Sequence, residues 1–133
     1  MFYGRTKGAA AMTKAAALQS FFTQFLPAYA ASAVPSDVVF PYLTYELVTD
    51  AWEGGEVSLT VNLWYYTTSE KTPNEKAQEV SNALGTGGKV ITCDGGYIWL
   101  KRGSPWCQSL KDDTDANIKR RYLNVTAEYL TAN

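Results

Sequence analysis

The segment Ile118-Lys119-Arg120-Arg121-Tyr122-Leu123-Asn124-Val125-Thr126-Ala127-Glu128-Tyr129 alternates apolar and polar residues through most of its length. Residues two apart share one side of a β-strand. Leu123, Val125, Ala127 and Tyr129 therefore form an apolar face, and Arg120, Tyr122, Asn124 and Glu128 the opposite one. A strand of this kind requires a sheet with one side turned to a core.

Working back along the chain, Lys89–Thr92 and Tyr97–Lys101 read as a tight hairpin around Cys93-Asp94-Gly95-Gly96, because Asp-Gly suits a turn with positive φ. The period then changes to helical. Thr72-Pro73-Asn74-Glu75 combines a hydroxyl N-cap, proline at the first helical position and a glutamate placed to bond back to the cap. Ala77, Val80 and Leu84 give this helix one apolar stripe, and Gly85 is placed to end it. Before it, Tyr42–Val48 and Val57–Leu63 read as strands joined by a loop over Asp50–Glu56, with Gly54-Gly55 at the turn and Trp52 near the tip. Leu18, Phe21, Phe22, Phe25 and Leu26 follow helical spacing within a first helix over Met12–Phe25. Pro27 interrupts it, and a break or short second helical turn is expected in Ala28–Ala33. Residues 1–11 have no periodic face and read as a flexible arm.

The predicted order is α-β-β-α-β-β-β, a largely antiparallel sheet with two helices on one face. This is an α+β two-layer sandwich in a single domain over residues 12–133. A chain of 133 residues, 46% apolar and 19% charged, has the means to bury such a core without a metal or disulfide staple. Nine Tyr and four Trp are more than a core of this size needs, and such residues are enriched at protein interfaces.

Twelve basic and thirteen acidic residues nearly cancel, so net charge supplies no general attraction to nucleic acid or anionic membrane. No stretch approaches the roughly 18 apolar residues of a membrane helix, and the first residues have no apolar signal core. A soluble chain, not exported by a signal peptide, is expected. The absence of histidine removes the commonest general base and the main nitrogen ligand for metals. Cys93 and Cys107 lack CxxC spacing and read as free thiols. Asp113–Asn124 begins like a calcium loop but has Ile118 where glycine is required and Asn124 where glutamate closes the site. Gly87-Gly88-Lys89 follows a helix rather than preceding one, the wrong order for holding phosphate. Asn124-Val125-Thr126 has the letters of a glycosylation sequon but lies inside a strand. No catalytic, metal or cofactor-binding residue is assigned, and no enzymatic activity is expected.

Two sets of residues remain as contact candidates. The first comprises Trp52 at its loop tip and Trp106 and Leu110 in an expected loop over Gly103–Asn117. For Trp106 and Leu110, folding back onto the protein's own sheet is an open alternative. Phe2, Tyr3 and Arg5 in the arm could reach a neighbour. The second set is basic and aromatic: Arg120, Arg121, Trp99 and Tyr122 could bind single-stranded nucleic acid. Alternation opposes this, since Arg120 points away from Lys119 and Arg121, and nearby acids offset the charge.

Phe40-Pro41-Tyr42-Leu43-Thr44-Tyr45-Glu46-Leu47, the later strand ending Val61-Asn62-Leu63-Trp64, and the helix over Thr72–Leu84 together resemble the tail-terminator (tail-completion) proteins of long-tailed bacteriophages. The resemblance spans roughly residues 12–130, and related neck, head-closure and minor capsid proteins use similar phrases. It implies a structural virion protein at the tail-neck junction, assembled in the bacterial host cytoplasm. In that role copies of the chain form a ring, most simply a hexamer. The ring caps the tail tube protein, ends tube polymerisation and meets a head-side connector or head-closure protein, with DNA only passing through the lumen. Ring closure needs two different patches on each subunit, and capping needs a third surface.

Overall fold

The computed structural model describes residues 12–133. The N-terminal arm, with Phe2, Tyr3 and Arg5, lies outside the described residues. The first helix, α1, runs Lys14–Thr23 rather than from Met12 to Phe25. Thr13 caps it, its hydroxyl accepting from the Ala16 N–H at 3.1 Å. The Ala-rich stretch is extended before it coils: strand β1 (Ala28–Ala30) precedes a 3-10 turn over Ala31–Ala33. Strand β2 (Tyr42–Tyr45) follows and lies parallel to β1.

The expected strand over Val57–Leu63 is divided into β3 (Glu56–Ser58) and β4 (Val61–Tyr66). Both pair antiparallel with β7 (Ile118–Thr131) in one continuous register, Ser58 opposite Thr126 and Val61 opposite Leu123. The interruption falls at Thr60, whose φ of 42° is left-handed. A β-branched residue rarely adopts that region.

Helix α2 (Lys71–Leu84) begins earlier than the Thr-Pro signal suggests. Glu70 is the cap residue, without a side-chain cap bond. The Ser69 hydroxyl accepts from the Lys71 N–H at 3.1 Å, and Glu75 pairs with Lys71 instead of the cap. Pro73 is tolerated because first-turn N–H groups have no partner within a helix. Gly85 ends α2 with φ 71°, its N–H bonded to the Ser81 carbonyl.

Strand β5 (Lys89–Cys93) turns through Asp94-Gly95 into β6 (Gly96–Lys111). This strand overturns the expected loop over Gly103–Asn117, since only residues 112–117 connect β6 to β7. The register jumps from Arg102 opposite Val125 to Cys107 opposite Leu123, so Gly103–Trp106 bulge against Asn124 alone. Gly and Pro here mark a bulge on an edge, because β5 pairs only as far as Leu100 and leaves the outer side of β6 open beyond it.

The fold is α+β, with two helices and a mixed seven-stranded sheet ordered β1-β2-β4-β7-β6-β5, β3 lying on β7 beyond β4. All pairings except β1–β2 are antiparallel. Leu18, Phe21 and Phe22 of α1, Val80 and Leu84 of α2, and the inward strand residues Leu43, Leu63, Leu100, Leu123 and Val125 share one core.

Candidate interaction surface

Alternation divides each strand between this core and the opposite side of the sheet. Tyr42 of β2 lies opposite Trp64 of β4, Trp64 opposite Arg120 of β7, and Arg120 opposite Leu110 of β6. None of these four belongs to the core to which both helices contribute. A parallel row places Thr44, Asn62, Tyr122 and Gln108 in register.

The first row builds an aromatic corner. Trp64 stacks on Tyr42 with centroids 6.0 Å apart and planes 13° from parallel, and its indole N–H donates to the Thr44 hydroxyl at 3.0 Å. Tyr29 and Phe40 flank Tyr42, and Tyr66 meets Phe40 at 5.8 Å. Partial burial pushes the Tyr42 phenol above its ordinary pKa. The Arg120 guanidinium lies 5.3 Å from the Trp64 centroid, in cation–π reach. Among the described residues it forms no ion pair. Trp64, Lys111, Asp112, Asp113, Ile118 and Arg120 line a cleft of about 210 Å³ beside it.

Further along this side, Lys101 sits 3.9 Å from the Trp99 centroid and pairs with Glu56 and Glu128. Glu56 and then Glu128 hold its ammonium above the ordinary lysine pKa. Its charge is already answered. Arg121 points the other way: it is 1% exposed, bonded to Glu70 and, at 2.9–3.0 Å, to Asn74. The four residues suggested for nucleic acid are therefore not brought together. Arg120, Tyr122 and Trp99 share the helix-free side, while Arg121 fastens α2.

Trp52 stands apart at the end of the sheet where β7 finishes, 61% exposed. Its loop is firmly tethered. The Trp52 N–H donates to the Thr131 carbonyl at 2.9 Å, Tyr129 Oη to the Val48 carbonyl at 2.5 Å, and Lys14 Nζ to the Asp50 carbonyl at 2.7 Å. Trp106 is half-buried against the protein's own core, from the bulge rather than from a loop. Leu110 is half-buried beside Arg120 on the helix-free side.

Phe40, Tyr42, Trp64 and Tyr66 are not legible as a cluster in the sequence, because only the pairing of β2 with β4 gathers them. The available signal is that Tyr42, Trp64 and Tyr66 alternate with core residues, so three aromatics fall on the outward side of β2 and β4 beside Thr44 and Asn62.

Among the described residues no group of three metal-ligating side chains gathers, and no helix is long and apolar enough to cross a membrane. Cys93 and Cys107 are unpaired, and burial pushes both thiols above the ordinary range. No family model matches the chain, and neither a curated protein nor a solved structure matches it.

Proposed function

We propose that this chain is a ring-forming structural subunit of a long-tailed bacteriophage, a tail terminator that caps the tail tube, ends its polymerisation and joins the tail to the head-side connector. The observation that carries the reading is the aromatic corner on the helix-free side of the sheet, distinct in place and chemistry from the tethered Trp52. Both present aromatic rings, Trp52 and Tyr66 keeping more than half their surface exposed, which supports a role in contacts. Assembly of identical subunits into a closed ring needs two unlike patches of this kind. The two-layer arrangement suits it, since one side of the sheet is packed by helices and the other is free to meet neighbours. The reading is supported by the resemblance of the phrases around Phe40–Leu47 and Val61–Trp64 to that family, a resemblance that extends to head-closure and minor capsid proteins of the neck.

The test is to add the purified chain to polymerising tail tubes and image them. Capped tubes of defined length with a terminal ring are expected. Tubes that elongate as if nothing were added contradict the terminator role, and binding instead to isolated connectors identifies the head-closure alternative.

A second reading rests on Arg120 over Trp64 with Tyr122 nearby, a stacking arrangement compatible with single-stranded nucleic acid. Burial of Arg121 and pairing of Lys101 leave it one free cation among these candidates. It predicts oligonucleotide affinity that falls steeply with salt. Absent or salt-independent binding removes it.

A further inference from the structure

We infer that the arm, residues 1–11, packs back into the groove between α1 and β5 of its own chain, with Phe2 or Tyr3 seated against Ile91. The inference does not depend on the assembly reading above.

The groove exists because α1 leaves the last strand of the sheet partly uncovered. β5 ends the strand order, and Ile91 stands opposite Ile98, so the two share the core side. Ile98 is fully buried, whereas Ile91 is only half-buried. Between Ile91 and Thr92 of β5 and Met12, Ser20, Phe21 and Gln24 along α1 lies a cleft of about 420 Å³. That is within the roughly 300–1,000 Å³ over which protein clefts seat a small molecule, so an aromatic side chain fits. Filling it takes the open side of Ile91 out of water.

The course of the chain identifies the occupant. Met12 is fixed at one end of the groove: its N–H donates to the Asp94 carboxylate at 3.0 Å, and its carbonyl accepts from the Asp94 N–H at 2.7 Å. Residue 11 therefore starts at the mouth of the groove. The nine residues back from Met12 to Tyr3 reach up to about 30 Å if extended and about 14 Å if helical. The groove is about as long as the ten residues of α1, or roughly 15 Å. Phe2 and Tyr3 reach along it in either form. So short a tether sets an effective concentration on the order of millimolar, which favours the chain's own arm over that of a second copy.

Charge does not select this occupant. Among the described residues Lys89 lines the groove and no acid does, and the arm carries Arg5 and Lys7 without an acid. Phe2 or Tyr3 and the small residues Ala9-Ala10-Ala11 make the contact, and Arg5 and Lys7 stay in water. Docking on this basis persists in high salt. The same packing covers the outer edge of β5, which pairs only with β6 and is otherwise open to another strand.

The test is nuclear magnetic resonance on the full chain. Nuclear Overhauser contacts from the Phe2 or Tyr3 ring to the Ile91 methyls are expected, unchanged in high salt. An isotope-filtered experiment on mixed labelled and unlabelled chains is expected to show none between chains. Trypsin supplies the second measurement: with circular dichroism confirming the fold, the double variant Phe2→Ala with Tyr3→Ala is expected to be cut after Arg5 and Lys7 about tenfold faster than the wild type, because the docked arm resists cleavage. Cleavage elsewhere should be unchanged. Arm rings without contacts to Ile91, together with equal cleavage of variant and wild type, overturn the inference. Contacts found only between chains overturn docking on the chain's own groove and show exchange of arms instead.

Discussion

Arg121 is among the largest fully buried side chains of the described residues, and its guanidinium is bonded to Glu70 and Asn74 at the start of α2. Its aliphatic stem fills space over the sheet while the guanidinium fixes where the helix begins. Arg121→Ala is expected to destabilise by about 3 kcal/mol, through lost packing and a loosened α2 N-terminus; urea unfolding measures it. Glu70 adds a pH dependence. Its hydrogen bond from Arg121 holds the carboxyl below its ordinary value of 4.5, so the stabilisation is present above that value and is lost as pH falls through the depressed one. Unfolding midpoints of the wild type and Glu70→Gln should differ at neutral pH and converge on acidification. A constant difference would place the effect elsewhere. Gly96 is decided by space as well as conformation: at φ 150°, a Cβ there would lie 2.1 Å from the Leu130 carbonyl oxygen. Gly96→Ala is expected to cost more than about 2 kcal/mol, with a lowered thermal midpoint as the readout.

At the level of elements, legibility followed how local the deciding force was. Strand β7 was readable because its alternation reflects burial along its whole length, from Arg121 inward to Tyr129. The C-terminus of α2 was readable because Gly85 alone supplies the positive φ. Its N-terminus was not, since the Glu70–Arg121 pair joins residues 51 apart and draws the helix two residues ahead of Pro73. The punctuation Gly103-Ser104-Pro105 normally signals a loop. Here it lies where β6 has lost its outer neighbour and a bulge is cheap. Thr60 likewise interrupts a strand whose composition favours continuity. Thr60→Gly is expected to raise stability by up to about 1 kcal/mol by relieving its left-handed backbone, seen as a higher urea midpoint. An unchanged or lower midpoint would show that the Ser58–Thr60 hydroxyl contact of 3.3 Å outweighs the strain.

The candidate surface was half legible for the same reason. Trp52 stands out as an apolar residue in an acidic loop, and Leu110, Arg120 and Tyr122 are legible only as separate positions. Only the pairing of β2, β4, β7 and β6 reveals that Tyr42, Trp64, Arg120 and Leu110 form one row. At the scale of the whole molecule, this row and the Trp52 loop stand at opposite ends of the sheet, and the helices occupy its other side. The helices bury one side of the sheet, and the proposed assembly would use the other. The measurement that tests this account most directly is native mass spectrometry of the full chain over a range of concentrations, with the same samples imaged by negative stain. A single closed oligomer, expected as a hexamer, with ring-shaped particles is the predicted result. A strict monomer at every concentration, with no binding to added tail tubes, would contradict it.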